Sequence, residues 1–128
     1  MGPHRRGVLL RRSDIKHYMG IAISAAERSS MRHRVGCIIV DRDRYRYVRA
    51  FNRYLGDPGG DGWSLHAEAW AALRSEDAGM RPRAAFVARH NARLARPCAN
   101  CMAALKAAGV ERVYYTTKPG EWATEEIA

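Results

Sequence analysis

The sequence has little cysteine, three residues in 128. So small and odd a number makes no disulfide framework, and the fold must rest on a packed core. Long hydrophobic runs are missing too, none approaching the ~18 residues that a membrane span requires. The basic start, Met1-Gly2-Pro3-His4-Arg5-Arg6, is followed only by Val8-Leu9-Leu10 before Arg11 and Arg12, which is short of a secretory hydrophobic region. Arg6 stands where a myristoylation signal needs Ser or Thr. No internal repeat or low-complexity tract is visible. The expectation is a soluble, cytoplasmic protein without a membrane partner. What is present suits one domain: 47% apolar and 27% charged residues make a globular balance, and the length is short for two cores.

Charge is lopsided. Twenty-two Lys/Arg against 13 Asp/Glu give a net +9, and residues 1–56 carry 13 basic against 4 acidic residues while residues 57–128 carry 9 of each. A basic half points to polyanions or phosphorylated small molecules as ligands. Nineteen of the basic residues are Arg in an Ala-rich chain, so a genomic compositional bias accounts for the same numbers.

Residues 1–12 read as a disordered basic arm ahead of a single domain, residues 13–128. Ser13 is an N-cap candidate with Asp14 in the first turn, and Ile15, Met19, Ala22 and Ala26 mark one face of a helix ending before Arg34. Val35-Gly36-Cys37-Ile38-Ile39-Val40 is an apolar run fitting a strand covered on both sides. Asp41 to Arg44 makes a charged turn, and Tyr45 to Phe51 reads as its antiparallel partner at a sheet edge. Arg53 to Ser64 is a loop by its Gly and Pro content. A helix follows from about His66 to Arg74, then a strand at Ala84–Ala88, an Arg-bearing connection from Arg89 to Arg96, and a helix from Ala99 to Ala108 stopped by Gly109. Val113–Thr116 is a further strand. Lys118-Pro119-Gly120 forces a turn, from which Glu121-Trp122-Ala123 returns as an antiparallel fifth strand, because the residues remaining are too few for a crossover. Strands alternating with helices imply an α/β fold: a three-layer α/β/α sandwich on a mixed five-stranded sheet.

Two segments carry the chemistry: Leu65-His66-Ala67-Glu68-Ala69 and Arg96-Pro97-Cys98-Ala99-Asn100-Cys101, each opening a predicted helix. Cys98 and Cys101 are three apart on one helical face, so both thiolates reach one ion. His66 and Glu68 converge only if His66 sits at the cap, before helical geometry starts. One imidazole and two thiolates suit zinc and leave its fourth tetrahedral position to water, the catalytic rather than the structural arrangement. Glu68 beside it is the natural proton carrier. Both helix N-termini favour deprotonated sulfur.

His-x-Glu, then 28 intervening residues, then Pro-Cys-x-x-Cys resembles the signature of the zinc-dependent cytidine/deoxycytidylate deaminase superfamily. Val35–Val40 is similar to that family's first strand, Phe51-Asn52-Arg53 to its second-strand ending, and Pro97–Tyr115 to the helix and strand of small phage CMP/dCMP deaminases. The resemblance covers about Ser13 to Thr116. It implies a cytidine deaminase-like fold, Zn2+ held by His66, Cys98 and Cys101, and Glu68 as general acid/base in hydrolysis at the amino-bearing carbon of cytosine. It also implies substrate contacts from Asn52, from the flanking Phe51 and Arg53, and from the amides of Ala67 and Cys98. The chain mixes two branches: an antiparallel fifth strand is the mark of free-nucleoside deaminases, whose first ligand is usually Cys, whereas His66 stands here.

Each signal has a plainer alternative. A closed structural zinc site would recruit Cys37, His33 or His90, and Cys98-x-x-Cys101 alone would serve as a redox dithiol. Asn52 would end a strand through a side-chain turn. Arg32, Arg34 and Arg53 flank the site and are candidates for gripping a phosphate. Tyr114 and Tyr115 point to opposite faces, so at most one reaches a base, and Trp63 is a candidate cover. The expected partner is a cytosine-containing nucleotide such as dCMP. The alternatives are cytosine or adenine in single-stranded DNA or RNA, and a non-catalytic zinc module that binds nucleic acid. The Ala-rich helix and aromatic edge strand suggest a homo-oligomer.

Overall fold

The apolar run at 35–40 does become a strand, β1 (Val35–Asp41), buried from Gly36 onward. Its counterpart β5 (Pro82–Arg89) is antiparallel to it, pairing Cys37 with Val87 and Ile39 with Ala85. Such strands need cover on both faces, and they lie in the interior of a five-stranded sheet. β2 (Tyr47–Phe51) is antiparallel to β1 at one edge; β6 (Arg112–Lys118) is parallel to β5; β7 (Glu121–Glu126) closes the other edge antiparallel to β6. The order is β2-β1-β5-β6-β7. The computed structural model describes residues 10–42, 46–56 and 63–127.

Alternate side chains along each strand go to opposite layers. Ile38, Val40, Phe86 and Tyr114 pack under α1 (Arg12–Glu27), against its Tyr18, Met19 and Ala22. Cys37, Ile39, Ala85, Val87, Val113 and Tyr115 face α2 (Ala67–Asp77) and α3 (Ala99–Ala107), which bring Ala67, Ala71 and Leu105. The result is the expected α/β/α sandwich on a mixed sheet. Phe86, Ile38, Ile39 and Leu105 are fully buried, each a contribution of about 1.5–3 kcal/mol. Gly36 lets α1 approach: a Cβ there would meet the Ala22 carbonyl oxygen at 2.1 Å and the Ala26 nitrogen at 2.5 Å.

Several boundaries differ from the sequence reading. The first helix starts at Arg12 with Arg11 at the N-cap, so Ser13 lies inside it, and Leu10 is buried against the core because its side chain is apolar and the helix holds it there. The expected arm is otherwise outside the described residues, as are the 43–44 turn, Tyr45 and the Gly-rich stretch 57–62. The segment read as one loop holds two short strands, β3 (Arg53–Leu55) and β4 (Trp63–Leu65), paired Arg53 to Leu65. Hairpin pairing supplied hydrogen bonds that local composition does not announce. α2 runs past Arg74 to Asp77 and ends where Gly79 takes φ +64, its amide donating to the Glu76 carbonyl and the Met80 amide to that of Ser75.

Candidate active site

α2 and α3 begin at the same end of one sheet face, and each start carries part of the site. His66 is the N-cap of α2 with φ −69° and ψ 146°, the non-helical geometry that lets it turn toward Glu68's side of the helix. Cys98 is the N-cap of α3 and Cys101 lies in its first turn. The ligand atoms of His66, Cys98 and Cys101 all lie within 4.8 Å of one another, and His66 Nδ1 is 3.2 Å from Cys101 Sγ. His66 and Cys98 are exposed while Cys101 is buried. This donor set, one borderline nitrogen and two soft sulfurs, fits zinc. Burial, and then the Glu68 charge, push the Cys101 thiol up, so an ionised sulfur there calls for a cation.

Glu68, the second residue of α2, is 6% exposed. Burial pushes its carboxyl up from the ordinary carboxylate range, and its own backbone amide, the His66 imidazole and Cys101 pull the other way. The fourth-ligand alternatives stay apart from the cluster: among the described residues neither His33 nor His90 joins it, and Cys37 is fully buried in β1 with its thiol 3.8 Å from the Ile38 carbonyl.

A cavity of about 450 Å³ opens over this cluster, lined by His66, Ala67, Glu68 and Cys98 and reached by Asn52 from the sheet. Ala67 heads α2, so its amide has no acceptor within the helix. Asn52 is tied to backbone: its Oδ1 accepts from the Val35 amide at 2.9 Å and its Nδ2 donates to the His33 carbonyl at 2.5 Å. The plainer reading of Asn52 therefore describes these contacts, and the residue still borders the cavity.

Other expected contacts fall elsewhere. Phe51 packs its ring against Trp70, centroids 5.1 Å apart at 75°, and Arg53 lies over the Trp70 ring at 5.1 Å, so neither lines the cavity. Strand alternation explains it, since Phe51 and Asn52 at the end of β2 point to different places. Tyr114 stacks on Phe86 in the core, and the Tyr115 hydroxyl donates to Glu125 at 2.7 Å, so both are structural. Trp63's side chain is outside the described residues. Of the three candidate phosphate arginines, Arg32 borders the cavity and Arg34 and Arg53 do not. Arg89 borders it unforeseen, with its guanidinium 2.8 Å from His33 Nδ1. Only the pairing of Val35 with Arg89 across β1 and β5 brings it there, and nothing in its own segment signals that.

The family model for the cytidine and deoxycytidylate deaminase zinc-binding region matches residues 12–117. The chain belongs to this deaminase family. A deaminase from Burkholderia pseudomallei, a cytidine deaminase, has a similar structure, with TM-score 0.74 and 19% identity over 92% of this chain and 94% of that one. The cytidine deaminase of Mycobacterium tuberculosis gives TM-score 0.64 at 21% identity over 85% of this chain and 86% of that one. The dCMP deaminase of cyanophage S-TIM5, solved with dCMP and dUMP, gives 0.60 at 21% over 84% and 83%. No curated protein matches the chain in sequence. At these identities the structures establish the fold, and the family match makes the chain a zinc-dependent hydrolytic deaminase acting on cytosine, which sets aside a zinc module without catalysis. Among the described residues no helix is long and apolar enough to cross a membrane.

Proposed function

We propose that this deaminase converts cytosine to uracil in a free nucleotide, dCMP first, using zinc held by His66, Cys98 and Cys101 and a proton carried by Glu68. The observation that carries the reading is the buried Glu68 carboxyl beside one imidazole and two convergent thiols, on the wall of an open cavity of nucleotide size. When bound, zinc supplies the Lewis acidity that makes water a nucleophile at neutral pH. Glu68 takes a proton from the attacking water and returns protons to the ring nitrogen and the departing amine. A bond forms from water oxygen to C4, the C4–N bond breaks, and ammonia leaves. The Ala67 amide, left without an acceptor in its helix at the cavity wall, is the donor for the base, and Asn52 holds the 33–35 backbone that forms one wall. Arg32 and Arg89 at the rim supply positive charge for a 5′-phosphate.

Glu68→Gln tests the catalytic assignment: the variant should keep one zinc per chain while ammonia release falls by at least about 100-fold. Unchanged turnover overturns the role given to Glu68. Turnover of dCMP but not of deoxycytidine, with Arg89→Ala raising KM more than it lowers kcat, supports the nucleotide level. The net charge of +9 favours one other reading, deamination within a single-stranded polynucleotide. Binding through several phosphates weakens steeply with salt, so a flat salt titration of oligonucleotide binding removes it. Self-association is part of the proposal as well, because Leu73 on α2 and Tyr47 on the edge strand are exposed apolar groups. Sedimentation at micromolar concentration reads it directly.

A further inference from the structure

A second hollow lies away from the zinc ligands. The end of α1, strand β2 and the middle of α2 enclose about 320 Å³, lined by Ala25, Arg28, Arg49, Phe51, Trp70 and Arg74. It shares no lining residue with the cavity over Glu68. Every charged group on its wall is an arginine. Five basic side chains elsewhere have a carboxylate partner: Arg42 with Glu111, Arg46 with Asp41, Arg96 with Glu125, Arg112 with Glu126 and Lys118 with Glu121. Among the described residues Arg28, Arg49 and Arg74 pair with none.

The aromatic floor arranges two of these cations. The Arg28 guanidinium is held over the Phe51 ring at 5.8 Å and that of Arg74 over Trp70 at 5.6 Å, while Arg53 takes a place on Trp70 at 5.1 Å. A guanidinium resting on a ring keeps its N–H donors, which lie in its own plane, free for an oxygen acceptor. Trp70, already occupied by two cations and by the edge contact with Phe51, is poorly placed to stack on a base. Three like charges around one hollow repel one another, and an anion in the middle reverses the sign of that energy. Planar forks converging from three elements match the tetrahedral oxygens of a phosphate.

We propose that Arg28, Arg49 and Arg74 form a second, non-catalytic site for the phosphate group of a small phosphorylated molecule. The volume exceeds one phosphate, so the ligand carries more than the anion alone. The site stands whatever nucleotide the catalytic cavity takes. It also gives part of the basic first half a destination, since Arg28 and Arg49 belong to it.

The test is calorimetric titration of the zinc-loaded protein with inorganic phosphate at low ionic strength. Saturable binding is expected, weakened about tenfold or more by each of Arg28→Gln, Arg49→Gln and Arg74→Gln, the loss of one charge-assisted contact. Arg12→Gln, on another face, should leave it unchanged. Zinc content and the far-ultraviolet spectrum confirm that each variant folds, and the three single variants serve if the triple variant does not. A ten-residue oligothymidylate separates the sources of phosphate: competition for the site with a steep salt dependence assigns the ligand to a polynucleotide backbone and overturns the small-molecule proposal. The same holds for absence of saturable binding, for binding lost in Arg89→Gln alone, and for an oligomer in which the hollow is covered and phosphate is refused. Phosphate binding that the oligonucleotide does not displace, and that falls only with the three arginines, supports it.

Discussion

Asn52 makes two bonds that no neighbour in sequence could predict. Its amide spans the backbone of His33 and Val35, and its own carbonyl accepts from Ser29 Oγ at 2.8 Å, fixing the chain where it enters β1 beside the catalytic cavity. Asn52→Ala would leave the Val35 amide and the His33 carbonyl without these partners, a loss of about 1–2 kcal/mol for one part-buried and one exposed bond. Denaturant unfolding should show that loss with zinc content retained. A variant as stable as the parent would mean that water replaces the amide at no cost. At the same scale, His66 shows why spacing alone left a condition open: residues two apart on a helix diverge, and they meet here only because His66 is a cap and Glu68 is already inside the helix.

Elements meet through small residues and through one charged tie. α1 reaches β1 at Gly36, where a methyl group has no room against the Ala22 and Ala26 backbone. Gly36→Ala should therefore cost about 3 kcal/mol by forcing the helix off the sheet, read as a drop in the unfolding midpoint. On the other edge, β7 holds the chain that leads to Cys98: Arg96 donates from Nε and Nη2 to the Glu125 carboxylate at 2.6 and 2.9 Å, and the Tyr115 hydroxyl donates to it as well. The Arg96 bonds and then the Tyr115 bond hold the Glu125 carboxyl down to about 2. A carboxyl lowered on folding contributes stability above its unfolded value, about 4.3, and that contribution fades as pH falls from there through about 2. The stability difference between the parent and Glu125→Gln, both zinc-free, should be full at pH 6, begin to shrink below about 4.3, and vanish near pH 2. A difference that grows with acid would reject the tie. The pattern of residues 118–123 announced a hairpin, but the partner that Glu125 finds in Arg96 is 29 positions away and carried no local sign.

For the molecule as a whole, the metal site joins two helix starts separated by β5 and its connection, so zinc binding and folding are linked. Free zinc at 1,000 times its dissociation constant adds about 4 kcal/mol of stability, and chelation should lower the melting temperature by several degrees while abolishing deamination. Recovery of both on adding zinc back, and not magnesium, is the expected signature of a Cys₂His site. Melting that ignores the chelator would disconnect the ligands from the fold. Local pattern was enough for the candidate ligands and the frame: His66, Glu68, Cys98 and Cys101 announce themselves by type and spacing, and apolar runs with Gly stops mark the elements, because donor softness and side-chain period are local properties. The surroundings came from long-range packing. Antiparallel pairing of β1 with β5 carried Arg89 to the rim, strand alternation sent Phe51 and Arg53 to Trp70, and packing of α1 and α2 around β2 gathered three arginines into one hollow. Such neighbours are set by register and layer packing between segments far apart in the chain, which no local pattern encodes.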